Sequence, residues 1–575
     1  MKAAIVVFVL TALAYLPCVR YEFVAYDDYK YVYRNANVLT GATAGNLLWA
    51  VKSCGYADNW HPLTWISLQL DATVLDAAEA GGDECASPVR RRLSSVMHAH
   101  NVMLHAANAA LLCLLIVVLL RRLHPETGVS LAVPALFALL WAIHPLRTEV
   151  VCWVSERKEL LSVFFMLLTM IAYAKGVVGS RSRTVEISNS FLHLRLFSTP
   201  SFCYAFSFFT FTFSLLAKPV AVTLPVVLLA WDWVVSGRGF RRSFVAILPF
   251  LILAAGGGLL TLAAQREMID VGSQFSLTDR AVMSLTAPVV YLRQTFWPVG
   301  LSAFYPRQAL GSWIELGLGA VLAVGSAAIC VGWLFRRRSA AVSLLAFAVA
   351  WCHVSLVPML GIVKAGDQPH SDRYTYWIGC GFSAVAAIFV CRHAGRYGKE
   401  VTRALAVAVA ALAVATLCRM PVWRDTFSLY SDGAPKSWAC KPVRSLARLL
   451  RQRGEEGERQ AEALLREAIT RTRYQDLCAE FAYLLAVRTE RSEFHLGEND
   501  PAFAESRYEA QAVLETDPTH SIANEALAIV EMKEGKWERA LRHLAAAREK
   551  SEDTGRIDGY SEICRKRIAE SGVKR

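Results

Sequence analysis

Eleven apolar stretches recur through the first 418 residues, near 3–19, 98–120, 130–146, 160–175, 200–217, 219–235, 244–264, 313–335, 340–362, 375–391 and 402–418. At roughly 17 to 24 residues each, they are long enough to cross a ~30 Å hydrocarbon core as helices. Such a series leaves one fold class, an all-α polytopic membrane protein. The composition agrees. Apolar residues make up 54% of the chain and charged residues 19%, against ~25% charged in soluble domains, and the mean hydropathy is +0.33. Disorder, collagen and coiled coil are excluded. So is a small disulfide-stapled scaffold, because 14 cysteines are diluted over 575 residues.

The formal charge of +12, from 61 basic and 49 acidic residues, does not point to nucleic acid. Its Arg clusters fall between apolar runs, where membrane loops carry a cytoplasmic bias. Arg121/Arg122, Lys175/Arg181/Arg183, Arg238/Arg241/Arg242, Arg336–Arg338 and Arg392/Arg396/Lys399 share one face with Lys2. That face is then the cytoplasm, and an odd number of spans puts everything after residue 418 outside. The segment 281–300, with Pro288, Arg293 and Pro298, suits a helix at the outer surface or re-entering; full crossing would upset this parity. The N-terminal run is a first span or a cleaved signal peptide with small residues at Ala12 and Ala14. Either way the later loops keep their sides.

Residues 419–575 follow different physics, with amphipathic helical periodicity and a sharp rise in charge. From Asp517-Pro518 the chain resembles a tetratricopeptide repeat (TPR). Leu527 and Ala528 match the first helix, and Gly535, Trp537, Ala540, Leu544 and Ala547 match the turn and second helix. Ala461, Leu465 and Ala468, then Phe503, Ala510 and Leu514, fit eroded earlier repeats. Such pairs bury their faces only by stacking, so about three are expected in an extracytoplasmic α-solenoid, with a capping helix near 558–570. An ordinary helical bundle is the competing description.

The outer loops carry the chemistry. The first, 20–97, opens with Phe23-Val24-Ala25-Tyr26-Asp27-Asp28. Adjacent carboxylates at a membrane boundary are a functional signal by default, and partial desolvation can raise one to serve as general base. They are equally an Asp pair capping a juxtamembrane helix. Further on, Trp60-His61-Pro62 starts a helix expected to lie flat on the surface. His98, Asn101 and His105 share one face of the second span; polar bonding between helices suits them better than a metal site, whose ligand spacing is absent. The next outer loop offers His144, Glu149, Glu156, Arg157 and Lys158, a third offers Lys218, and a later one Asp372-Arg373. Four segments thus bring cations near the headgroup plane, which suits the phosphate of a lipid carrier. Each cation alone is as well explained by snorkelling or by pairing with a neighbour such as Glu156. A nucleotide-binding glycine loop, H-E-x-x-H, a zinc ribbon and G-x-S-x-G are all missing.

Phe23–Asp28, Trp60–Pro62, His98–His105, His144-Pro145, Trp153–Lys158, Ala217-Lys218-Pro219, Trp297–Pro306 and Ser371–Tyr376 occur in that order. In this the chain resembles the GT-C membrane glycosyltransferases fused to TPRs, which include bacterial multi-span TPR proteins and the eukaryotic transmembrane-and-TPR protein O-mannosyltransferases. The resemblance covers about 3–430 densely and the tail loosely. It implies a transferase domain over 1–418, a degenerate TPR-like domain over 419–575, and transfer of a hexose such as mannose from a polyprenyl-phosphate sugar. The acceptor would be a hydroxyl, on protein Ser/Thr, at the extracytoplasmic face. The family's acidic motif maps onto Asp27 and Asp28 as catalytic residues. An aspartate taking the acceptor proton predicts inversion, and prepositioned cations would stabilise the leaving phosphate. The candidates for that contact are Arg157, Lys158, Lys218 and Arg373, with His61 and His144 as donors; His98, Asn101, His105, Glu149 and Asp372 would line the cavity.

No metal is obligatory, although adjacent carboxylates could hold a divalent cation. The partners implied are the polyprenyl-phosphate carrier, membrane lipids and a protein acceptor docking on the tail, with no nucleic acid. The membrane would be a bacterial inner membrane, or the ER in a eukaryote. The alternatives are a lipid or glycan acceptor, an inactive scaffold whose tail binds secreted partners, and a transporter. Two features depart from the family: an unassigned insert at 72–97, where Cys85 could pair with Cys54, and the erosion of the tail.

Overall fold

The structure, a computed structural model, describes residues 1–75, 87–123, 131–178, 199–266, 276–305, 312–335, 340–359, 370–393, 398–491, 501–551 and 554–572. Its described residues form helices and no strand, and the chain is an all-α polytopic membrane protein. Nine helices among the described residues are long and apolar enough to cross a membrane: Lys2–Arg20, Pro88–Arg121, Val154–Gly176, Pro200–Ala217, Phe240–Ala264, Trp313–Phe335, Val342–Met359, Asp372–His393 and Gly398–Trp423. The remaining two expected spans are interrupted. Ala132–Ala142 and Pro145–Cys152 meet at 57°, because His144, the residue before a proline, is extended at φ −85°, ψ 137°. Pro219–Val235 is short and divides into a 3-10 turn, an α-helix and a π-turn.

Over 281–300 the expectation of a surface or re-entrant segment meets a continuous helix, Leu277–Phe296. It opens on a capping box between Ser276 and Asp279 and runs through Pro288. It is not among the apolar spanning helices. One face, with Met283, Ala287, Val290 and Tyr291, is buried, and Arg293 pairs with Glu315 at 3.3 Å. Of the insert at 72–97, the ends lie in the helices Pro62–Leu75 and Pro88–Leu123, while residues 76–86, with Cys85 and its suggested pairing with Cys54, lie outside the described residues.

The apolar core of the membrane unit joins Val7, Leu112, Ile116, Phe137, Met166, Phe211, Phe250, Trp351 and Trp377. Within it, polar side chains cross-link helices instead of facing lipid. Asn108 donates to the Leu160 carbonyl at 3.0 Å, and Tyr15 donates to the Ala142 carbonyl at 3.1 Å. Close approach of Thr375–His393 to Ala340–Leu356 depends on Gly381, where a Cβ would lie 2.6 Å from the buried Trp351 ring. Gly381→Ala is therefore expected to cost about 1–3 kcal/mol through overpacking, read as a lower melting temperature in detergent.

The compact units divide at residues 429 and 430. Beyond that point lie, among the described residues, three helix pairs: Cys440–Arg451 with Gly454–Thr472, Gln475–Arg491 with Pro501–Leu514, and Ser521–Lys533 with Trp537–Lys550. A last helix, Thr554–Gly572, follows. Ala461, Leu465 and Ala468 are buried, as are Phe503 and Ala510, and Ala528, Ala540, Leu544 and Ala547 pack with Ile557 and Cys564 of the last helix. Gly535 makes the turn of the third pair at φ +73°, a conformation that disfavours a Cβ.

Candidate active site

Sequence places two aspartates side by side after the first span, and the fold gives them opposite tasks. Asp28 is 1% exposed. One of its oxygens accepts from the Val24 amide at 3.0 Å, and the other from the Ser155 amide at 3.0 Å and the Ser155 hydroxyl. It therefore ties residues 21–35 to the start of the span at Val154. Burial pushes the Asp28 carboxyl up to about 6, although the bonds from Ser155 and Val24 act the other way. Since the folded value exceeds the unfolded one, its contribution to stability is full below about pH 4 and is lost as pH rises through about 6. Asp28→Asn should flatten that part of a melting-temperature profile. An unchanged slope would count against the assignment.

Asp27 is half-buried and makes no side-chain hydrogen bond or ion pair among the described residues. Its charge, with that of Glu156, reaches the Tyr31 phenol; burial first, then these carboxylates, hold that hydroxyl well above its usual range. Tyr31 stacks on His61 at 5.4 Å between ring centroids, and Trp65 packs on both rings. His61 is fully buried, and neither ring nitrogen has a hydrogen-bond partner among the described residues. Burial, followed by Lys158 and Lys218, holds it well below the usual histidine range, so the ring is neutral. The Lys158 ammonium lies 4.6 Å from the Tyr31 ring centroid and 3.4 Å from its hydroxyl.

Glu156 gathers the cations. It meets Lys158 at 3.2 Å, Lys218 at 3.0 Å and Arg373 at 3.9 Å. Lys218 also pairs with Glu159 at 2.7 Å, and Arg373 with Glu149 at 2.6 Å. Burial works against the Lys218 ammonium, but Glu156 and Glu159 outweigh it and raise its pKa. The cluster is not sealed: the side chains of Lys218 and Arg373 each keep 15% exposure. An aromatic wall closes one flank, where Trp153 stacks on Tyr26 at 4.7 Å and on Trp423 at 5.7 Å.

The other expected site residues sit elsewhere. Arg157 is fully buried and committed to Asp71 at 3.0 Å, Ser67 at 3.0 Å, the Met97 carbonyl at 2.7 Å and Asn101. Asp71 also meets His100. The physical reason is helical geometry: neighbours on a helix do not share a face, so Lys158 reaches Glu156 while Arg157 points between helices. His144 uses both nitrogens at the bend, toward the Thr295 carbonyl and the Leu146 amide. His98 bridges the Ser94 and Cys152 carbonyls, Asn101 donates to the Trp153 carbonyl, and His105 joins Tyr376 to the Ala142 carbonyl. These three are buried cross-links between helices. Asp372 accepts from Tyr305.

Four contributors escaped the sequence reading in these roles: Tyr31, Ser155, Asp71 and Tyr305. Their partners are 29 to 127 positions away in the chain, and no local pattern announces such distances. Among the described residues no group of three His, Cys, Asp or Glu side chains converges as for a metal ion, and both Asp28 oxygens are already engaged. A cation clamp made of the two aspartates does not fit this arrangement.

No family model matches the chain. An alignment over 109 residues, covering 17% of this chain and 14% of the other, is 33% identical to the human protein O-mannosyl-transferase TMTC4. Among solved structures, the oligosaccharyltransferase of Archaeoglobus fulgidus, tethered with an acceptor peptide, aligns at 14% identity and a TM-score of 0.38. That alignment covers 80% of this chain and 58% of the other. The chain thus spans less than two thirds of either protein. By the order of its motifs and its match to TMTC4, it resembles the GT-C membrane glycosyltransferases.

Proposed function

We propose that the chain is a GT-C glycosyltransferase that moves a hexose from a polyprenyl-phosphate donor to an acceptor hydroxyl at the extracytoplasmic face. The observation that carries this is the convergence of Asp27, Tyr31, His61, Glu156, Lys158, Lys218 and Arg373 at the mouths of several spans. Asp27 is the base. It takes the acceptor proton as the oxygen attacks the anomeric carbon from the face opposite the phosphate, so the configuration inverts. Lys158, Lys218 and Arg373 stabilise the charge that grows on the leaving phosphate, and Glu156 keeps the three from repelling one another. Neutral His61 has an N–H free to donate in this site. Protein Ser/Thr is the acceptor class we favour, with mannose as the sugar and the helical tail as the acceptor's docking surface.

The test offers the purified protein a panel of radiolabelled polyprenyl-phosphate sugars and counts label entering peptide and lipid acceptors. Label in peptide supports the proposal, label only in lipid moves the acceptor class, and no transfer with any donor and acceptor pair overturns it. Lys158→Met is expected to lower kcat/KM about tenfold with the loss carried by kcat, because this charge-assisted contact, worth ~1.5 kcal/mol, strengthens as the phosphate leaves. A raised donor KM at unchanged kcat would contradict that role.

A further inference from the structure

Cys18 and Cys152 lie 134 positions apart yet come to the same turn of one helix inside the membrane unit. Cys18 sits in the turn that ends the first span, Leu16–Arg20, and Cys152 ends the short helix Thr148–Cys152. They are 0% and 1% exposed, both thiols are free, and the Cys18 sulfur is near enough to act on the Cys152 thiol. The backbone fixes both against the same turn of the Pro88–Leu123 helix. The Cys18 carbonyl accepts from the Tyr21 amide at 3.0 Å, and the Tyr21 carbonyl accepts from Ser94 at 2.8 Å. Ser94 contacts His98, which reaches the Cys152 carbonyl at 3.1 Å. By contrast, Cys113 and Cys380 are packed in the apolar core.

We infer that Cys18 and Cys152 form a disulfide in the mature protein, stapling the exit of the first span to the segment that positions the candidate site. The inference rests on the extracytoplasmic placement of that site, since disulfides persist in oxidising compartments. Formation is by exchange with a thiol–disulfide oxidoreductase. One Sγ–Sγ bond forms, two protons leave the cysteines, and their two electrons reduce the oxidoreductase disulfide to two thiols. The position gives the staple a purpose. Cys152 directly precedes Trp153, which stacks on Tyr26, and lies three residues before Ser155, which holds Asp28. The cross-link thus fixes both ends of the frame in which Asp27 stands.

The full-length protein, extracted without reductant, would be denatured in N-ethylmaleimide, digested and read by mass spectrometry. The expected result is one cross-linked species carrying the peptides of Cys18 and Cys152, split by a phosphine and absent from Cys152→Ser. Full alkylation of both cysteines in the unreduced sample would overturn the proposal. Cys18→Ser and Cys152→Ser should each lower the melting temperature by a few degrees, and the double variant should lose no more than either. Additive losses would argue for two independent packing roles. Lys52→Cys, exposed in the same loop, labelled in intact cells by a membrane-impermeant maleimide, separates the two failures. Label there with free Cys18 and Cys152 rejects the staple and leaves the placement of the site standing.

Discussion

Asp27→Asn should lower sugar transfer from a polyprenyl-phosphate donor by at least ~100-fold, the range expected for loss of a positioned general base, with the melting temperature unchanged. The two halves of that expectation come from different observations. Asp27 is half-buried beside Tyr31 and has no side-chain partner to lose among the described residues, so the isosteric amide leaves packing intact. Its neighbour supplies the control. Asp28 accepts three hydrogen bonds, and Asp28→Asn replaces one accepting oxygen by a donor facing the Val24 amide. That variant should lose stability, and its activity should fall only as far as the frame loosens. The measurement is label transfer at matched membrane abundance, beside a melting curve of each variant. Equal transfer by wild type and Asp27→Asn would remove Asp27 as the base. A large loss of activity in Asp28→Asn at full stability would exchange the two roles.

The difference between the two aspartates shows where sequence reading stops. Hydropathy located the spans because each run must satisfy its own backbone in lipid. It could not see that His144 would bend the third or that Pro219 and Pro225 would divide the sixth, since apolarity is blind to a lost N–H. Adjacent residues posed the same difficulty at the site. Asp27 and Asp28 read as one acidic motif, and Arg157 and Lys158 as one basic patch, yet in each pair one member builds the frame and the other faces the cluster. Which member does which is decided by partners far along the chain: Ser155 for Asp28, Asp71 for Arg157. The pairing of Lys218 with Glu156 and Glu159 was foreseeable only as the ordinary fate of a buried cation.

Arg157→Ala should destabilise the membrane unit by about 3–5 kcal/mol, because it strands a buried charge. Arg157 and Asp71 are both fully buried, 3.0 Å apart. The guanidinium also serves Ser67, Asn101 and the Met97 carbonyl, so its removal leaves several polar groups unpaired where no solvent reaches. Among the described residues, Asp71 would keep as its charged partner only His100. Replacing both partners by apolar residues of similar size avoids that cost, and Arg157→Met with Asp71→Met should recover most of the loss. Melting curves in detergent, with transfer measured on whatever remains folded, separate this account from a phosphate contact. If Arg157 instead bound the donor, Arg157→Ala would melt like wild type with a raised donor KM, and the double variant would regain nothing. A low melting temperature restored by the second substitution means that Arg157 holds together the helices from which Lys158 reaches the site.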